Sequence, residues 1–401
     1  VDFWKTQARC GRSGRWLRGL GLLAACGLLQ CADAEPLTSA PGAPPSPWAP
    51  GPHPVGVLTL TTGGPRALPV EVWYPATATA GAPERYALQL GAIKLGEMAS
   101  PLGATRGAAV DLGEGPRPVV VFSHGSGGVR VQSVYLCEYL ASHGFVVAAP
   151  DHLGNTMLAQ INEKYALPML EMARLRPLDL GETLDELLAR SGLPGDPLAG
   201  AIDGARVGVA GHSFGAFTAL RIAGATLDAQ AARAACLQAS GLLCGDWDRF
   251  ADFPPSARDP RFIAALAQAP GAADVVAPEG IPSGFGAVAI PTMIQAGTAD
   301  RTTPFQTEAR APFDDIPRDA SLIALEDAGH FTFSDICALN LGLPAFEDGC
   351  GPDNLPIPAA HALIDGFAAA FFLARVAKKT GYEAYLAPAS LPPGVASFDR
   401  K

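Results

Sequence analysis

The sequence predicts an α/β fold, a mainly parallel sheet with helices on both faces. Three observations point there. From Pro118 onward, short apolar runs alternate with segments of helical period. Two of those runs, 119–122 (VVVF) and 145–149 (FVVAA), contain no polar residue, as expected of strands covered on both faces. A third run, 206–210, meets Gly211-His212-Ser213-Phe214-Gly215, and a small-residue helical pattern follows at once. A G-x-S-x-G between strand and helix is a tight turn. Its glycines let the two elements approach, and Ser213 is pushed out of the turn with its hydroxyl exposed.

The elements follow in order. Lys5, Arg9, Arg12, Arg15 and Arg18 precede a short apolar core at 20–29, and Ala32-Asp33-Ala34 then offers a small-x-small cleavage site. Residues 1–34 therefore read as a secretory signal peptide. Leu23-Ala24-Ala25-Cys26 ranks second, as a bacterial lipoprotein box with an unusually short core. Residues 35–54 are rich in Pro, Ala and Gly and read as a tether without packed structure. Residues 55–60 and 68–74 read as a hairpin joined by a Thr-Gly-Gly-Pro turn. The mixed stretch 76–117 reads as a loop with a short helix over the sheet. Helices are expected over 131–143, 176–190, 214–225 and 359–377, and strands over 291–296 and 321–325. Residues 261–269 fit a helix or a buried strand. The expected organisation is one catalytic domain, 55–377, followed by a tail, 378–401.

Composition narrows the function. The formal net charge is −10, and removing the basic leader makes the remainder more acidic still. Such a body is not drawn to nucleic acid or anionic lipid by long-range electrostatics. No window of eighteen uninterrupted apolar residues occurs, so no transmembrane helix is expected. Of eight cysteines, Cys10, Cys26 and Cys31 lie in the leader. In an oxidising compartment Cys236–Cys244 and Cys337–Cys350 form two local pairs, each worth about 2.5–3 kcal/mol by chain entropy. Cys137 is left over, on an apolar helical face. The spacing fits no zinc site, and no metal or cofactor is expected.

A serine needs a base, an orienter for the base, and donors for the oxyanion. In hydrolases with this turn, the acid and then the histidine follow the serine in the chain. Asp300 lies just past one expected strand and His330 past the next, where sites assemble in such sheets. Asp327 competes for the acid, but its closeness to His330 suits loop hydrogen bonding better. Of the other histidines, His53 lies in the tether, His124 in a glycine-rich loop, and His361 on the last helix. His143 ends a helix and reads as surface, His152 could line the cleft, and His212 reads as packing. The loop Ser123-His124-Gly125-Ser126-Gly127-Gly128 offers a second oxyanion donor, so the amides of Ser126 and Phe214 form the expected pair. Loss of one such donor costs about 3–4 kcal/mol of transition-state stabilisation. A phosphate-binding loop is the rival explanation of these glycines. It lacks the Gly-Lys-Ser/Thr ending.

FSHGSGG, LASHGFVVAAPDH, GHSFGA, QAGTADRTTP and DAGHF, in that order, resemble α/β-hydrolases similar to platelet-activating-factor acetylhydrolase, whose bacterial relatives are often labelled dienelactone-hydrolase-like. The resemblance spans roughly residues 55–375. It implies an α/β-hydrolase fold and a metal-free serine esterase with Ser213 as nucleophile, Asp300 as acid, His330 as base, and the Ser126 and Phe214 amides as oxyanion donors. It also implies a strand at 261–269. True dienelactone hydrolases use cysteine where this chain has Ser213. The expected activity is an exported carboxylic-ester hydrolase, secreted or periplasmic, acting on short or medium acyl chains. A cutinase-like polyesterase and a lipid-anchored, non-catalytic binding protein on the same fold are the alternatives.

Overall fold

The computed structural model describes residues 44–78, 81–90, 93–236, 253–271, 284–340, 342–387 and 391–401. The expected leader, its three cysteines and most of the expected Cys236–Cys244 loop lie outside these residues. In this structure a ten-stranded sheet runs in the order β12-β11-β10-β9-β8-β6-β7-β2-β1-β5. The hairpin β1 (Val55–Thr61) and β2 (Pro69–Pro75) is antiparallel, as its turn chemistry suggested. Its strand β2 joins antiparallel to β7 (Val146–Pro150). From there β7, β6 (Arg117–Ser123), β8 (Ile202–His212), β9 (Phe262–Gln268), β10 (Thr292–Gly297) and β11 (Ala320–Leu325) are mutually parallel neighbours. The stretch around 261–269 is thus a strand, buried between two others.

Helices cover both faces. On one side α3 (Met169–Ser191) and α4 (Phe214–Ala223) bury Leu180, Leu184, Phe217 and Leu220 against Val119, Val121 and Val209. On the other, α1 (Val134–Ser142) and the long helix Ile357–Arg375 bury Leu136, Leu140, Phe367 and Phe371 against Val120, Phe122 and Val147. The odd and even residues of β6 therefore enter different cores, which explains its unbroken apolar run. Helix Ile357–Arg375 is long and apolar enough to cross a membrane by length and composition, with a mean hydropathy of 1.6. Here it is packed, and Phe367, Ala368 and Phe372 are fully buried.

Four expectations are corrected. Residues 76–117 hold no helix among those described. They form the antiparallel pair β3 (Arg85–Leu90) and β4 (Ile93–Ala99), then β5 (Thr105–Arg106) beside β1. Tyr86 from β3 is buried and bridges Trp73 and Glu138 through its hydroxyl. The described end of the Pro-rich tether is packed. Trp48 stands edge-on to Phe367 at 4.8 Å, and Tyr139 donates to the Pro47 carbonyl. The tail contributes β12 (Val395–Arg400), antiparallel to β11, so the compact unit spans Ser46–Lys401. Helix α3 begins seven residues before Arg176. The helix runs through Pro177.

Strand order reverses between β6 and β8. The chain leaves β6 for β7 on one side and returns to β8 on the other. Ser123 pairs in register with Gly211, so the loops after β6 and β8 leave the sheet side by side. Such a switch point opens a crevice at the carboxyl ends of the strands.

Candidate active site

Ser213 occupies a backbone conformation rare for a side-chain-bearing residue, φ 58° and ψ −122°. Held strain of this kind needs surroundings that enforce it. The turn supplies them. The Ser213 amide donates to the Gln268 carbonyl at 2.9 Å, and its own carbonyl accepts from Ala216 and Phe217 in the first turn of α4. A Cβ at Gly215 would overlap the Ser123 carbonyl, and one at Gly211 would overlap Gly215. Both glycines are therefore demanded by close approach.

The structure brings Ser213, His330 and Asp300 together. Ser213 Oγ lies 2.9 Å from His330 Nε2, and His330 Nδ1 lies 3.0 Å from Asp300 Oδ2. With Nδ1 protonated toward Asp300, Nε2 is free to accept from the serine. Asp300 also accepts from the Thr303 hydroxyl at 2.8 Å and from the Thr302 and Thr303 amides. His330 and Asp300 are buried, whereas Ser213 is partly exposed.

The glycine-rich loop lies beside the serine. The Gly125 amide is taken by Gln132 Oε1 at 3.0 Å. The amides of Ser126 and Phe214 make no hydrogen bond among the described residues. Phe214 opens α4, so its amide also carries the positive end of the helix. The Ser126 hydroxyl faces the side chains of Asn155 and Gln160.

Sequence reasoning missed what lies beneath. His212 Nε2 donates to the His330 carbonyl at 3.0 Å, while Nδ1 accepts from Gln132 at 2.8 Å. One buried imidazole thus ties the elbow to the His330 loop and, through Gln132, to the glycine-rich loop. Burial, with His330 nearby, holds it well below the ordinary histidine pKa, so it stays neutral. A second Ser-His-Asp set is also present. His152 Nε2 lies 2.9 Å from Ser123 Oγ, and Nδ1 lies 2.8 Å from Asp179 Oδ2, all three fully buried. Arg66 closes it with a bond to Asp179 at 2.6 Å. Burial pushes Asp179 up to about 6 despite Arg66, and burial followed by the Arg176 and Arg66 charges drives His152 well down. Arg176, one turn before Asp179, donates to the His124 carbonyl and stacks over Phe214 at 4.8 Å. His152 is therefore a wall of the core and not of the cleft. The one available signal was Arg176 and Asp179 at i, i+3 spacing on an otherwise apolar helical face.

Other expectations resolve plainly. The Asp327 side chain is exposed, and its loop hydrogen bonds run through the backbone: the amide donates to the Thr298 hydroxyl, and the carbonyl accepts from Asn354 and Leu355. His143 is buried, bonded to the Ala49 carbonyl, because the packed tether covers that helix end. His361 is stacked on Tyr135 at 3.6 Å. Cys137 is a buried free thiol. Cys337 and Cys350 are disulfide-bonded, with Cα atoms 5.3 Å apart. The Cys236–Cys244 pair lies outside the described side chains.

A mixed sheet that is parallel at its centre, with a strained serine at the switch point, defines an α/β-hydrolase fold. Residues 47–171 match the family described as platelet-activating factor acetylhydrolase, isoform II. The chain is similar to that family, and the match supports an esterase-type hydrolase. It takes in β1 through the start of α3, including the glycine-rich loop 123–128, and ends before Ser213.

Proposed function

We propose that the protein is an exported serine carboxylic-ester hydrolase working through an acyl-enzyme on short or medium acyl chains. One observation carries this: the unbroken run from Ser213 Oγ through His330 to Asp300, at 2.9 and 3.0 Å, beside two main-chain amides without acceptors among the described residues. In the proposed reaction His330 Nε2 takes the Ser213 proton as Oγ bonds to the ester carbonyl carbon. The carbonyl oxygen gains the charge and is met by the Ser126 and Phe214 amides. Asp300 holds the imidazole tautomer and stabilises the imidazolium. His330 then gives its proton to the departing alcohol oxygen. Water repeats the sequence on the acyl-enzyme and frees the acid. The Cys337–Cys350 bond suits the oxidising compartment that export implies.

The test is labelling with a fluorophosphonate, followed by hydrolysis of p-nitrophenyl esters of rising chain length. Stoichiometric modification of Ser213 and a preference for chains of about two to eight carbons are expected. A wild-type protein that is not labelled at Ser213 would refute the reading.

A further inference from the structure

Asp300 and His330 stand on different loops, one after β10 and one after β11. Their strands pair in register only as far as Gly297 and Leu325. Beyond that point the Thr298 and Ala299 amides donate to the Leu325 and Ala328 carbonyls, and the Asp327 amide to the Thr298 hydroxyl, all short of the acid and the base. A further bridge, at the two residues themselves, comes from a third segment. The Asp348 carboxylate, 5 % exposed, accepts from the Thr302 amide at 2.8 Å, the Thr302 hydroxyl at 2.7 Å and the Arg301 amide at 3.1 Å, all on the acid's loop. Its other oxygen accepts from the His330 amide at 3.2 Å, on the base's loop. One carboxylate thus joins both loops at the residues next to, or identical with, the proposed acid and base. Burial alone would raise its pKa, but the Thr302 hydroxyl and the His330 and Arg301 amides outweigh that and hold it below the usual carboxylate range.

The segment carrying Asp348 is itself fixed. Gly349, at φ 122°, packs so closely on the Phe331 and Thr332 amides that no Cβ would fit. Asn354 accepts from the Gly349 amide at 3.0 Å and donates to the Asp327 carbonyl at 3.0 Å. The Cys337–Cys350 bond ties the next turn to the chain just after His330. Phe346 packs edge-on against Phe331 at 4.8 Å.

We propose that Asp348 is a positioning residue for the reaction, holding the Asp300 and His330 loops at the separation that aligns the imidazole with its carboxylate. The proposal rests on the triad reading given above. Asparagine cannot replace it, because its NH2 would face backbone donors where an oxygen now accepts. Misplacement by about an ångström costs roughly a hundredfold in rate. The Asp348 carboxylate also places negative charge beside the His330 backbone. The other charged or titratable groups facing His330 are Asp300 and the neutral His212, and the largely exposed Arg301 has its Nε 3.9 Å from Asp348 Oδ1.

The experiment compares wild type, Asp348→Asn and Thr302→Val as full, oxidised chains. It measures fluorophosphonate labelling rate, kcat and KM for a p-nitrophenyl ester, and the pH profile of kcat/KM. Folding is checked by circular dichroism. For Asp348→Asn, kcat should fall about a hundredfold at unchanged KM. The acid limb of its profile should move to lower pH. Thr302→Val, which removes a single donor, should show a smaller fall in kcat with KM unchanged. A folded Asp348→Asn enzyme with wild-type kcat and an unmoved acid limb overturns the proposal. If that variant does not fold, wild-type kcat in Thr302→Val overturns it. A wild type that is not labelled at Ser213 sinks the triad reading and this proposal together, whereas a labelled wild type and an equally fast Asp348→Asn sink this proposal alone.

Discussion

Among the described residues the molecule holds two Ser-His-Asp sets of nearly equal geometry. In Ser213–His330–Asp300 the two spacings are 2.9 and 3.0 Å, and in Ser123–His152–Asp179 they are 2.9 and 2.8 Å. Their surroundings differ in three ways. Ser213 is partly exposed, whereas Ser123 is sealed at the end of a central strand. Ser213 has a positive φ that thrusts its hydroxyl outward, whereas Ser123 lies in regular register with Gly211. Amides without acceptors lie beside Ser213, whereas the Ser123 carbonyl is pressed against Gly215. Distances within a relay therefore do not distinguish a reactive site from a buried hydrogen-bond chain. Access, strain and waiting donors do.

The largest expected contrast is between the serines. Ser213→Ala should lower kcat/KM by about 10⁴–10⁶-fold, while Ser123→Ala should leave it within about threefold. Ester hydrolysis by both purified variants measures this. Equal inactivation by Ser123→Ala would break the comparison.

Next come the partners of Ser213. His330→Ala should match Ser213→Ala, and the double variant should be scarcely worse, since the residues act as a unit. Asp300→Asn should cost up to about 10⁴-fold. Activity should fall on acidification, because protonated His330 cannot accept from Ser213. A pH–rate profile rising toward acid would contradict the base assignment.

Asp179→Asn should do the reverse, sparing kcat/KM and altering stability. The folded state raises Asp179 from 3.8 to about 6, so the native protein holds this proton to higher pH than the unfolded chain. Its contribution is present below pH 3.8 and is lost as pH rises through 6. The stability advantage of wild type over Asp179→Asn should therefore shrink by up to about 3 kcal/mol across that window. Denaturant midpoints of both proteins at pH 4 and pH 7 test it, and a gap that widens with pH would contradict the direction.

The smallest effect is expected at Asp327, whose exposed side chain makes no hydrogen bond among the described residues. Asp327→Asn should change kcat/KM less than twofold and stability by under about 0.5 kcal/mol. Kinetics and melting of this variant beside Asp300→Asn decide which carboxylate serves His330.

Much of the centre was legible because its signals are local. An unbroken apolar run such as 119–122 marks a strand buried on both faces, and glycines flanking Ser213 mark a close turn. The positions of Asp300 and His330 followed from chain order and strand ends. What stayed hidden depends on distant partners. Nothing near Trp48 announces Phe367, more than three hundred residues away. The strand at 395–400 carries Ser397, Asp399 and Arg400 and finds its strand partner in β11, its side-chain partners in Arg310, Phe367 and Glu383. The Asp179–His152 chain and the Asp348 bridge are likewise tertiary, each joining loops that no periodicity connects.

Strand β12 has a consequence for how the protein is made. Glu326, at the exit of β11 toward the His330 loop, donates to the Gly394 carbonyl, and residues 395–400 cover the outer edge of β11. A nascent chain that has emerged only as far as Arg375 carries every residue of the proposed triad, yet presents β11 as a bare hydrogen-bonding edge. Bare edges recruit strands from other chains. The proposed triad thus lies wholly before the strand that covers β11, and until residues 395–400 pair there that edge is open to a neighbouring chain.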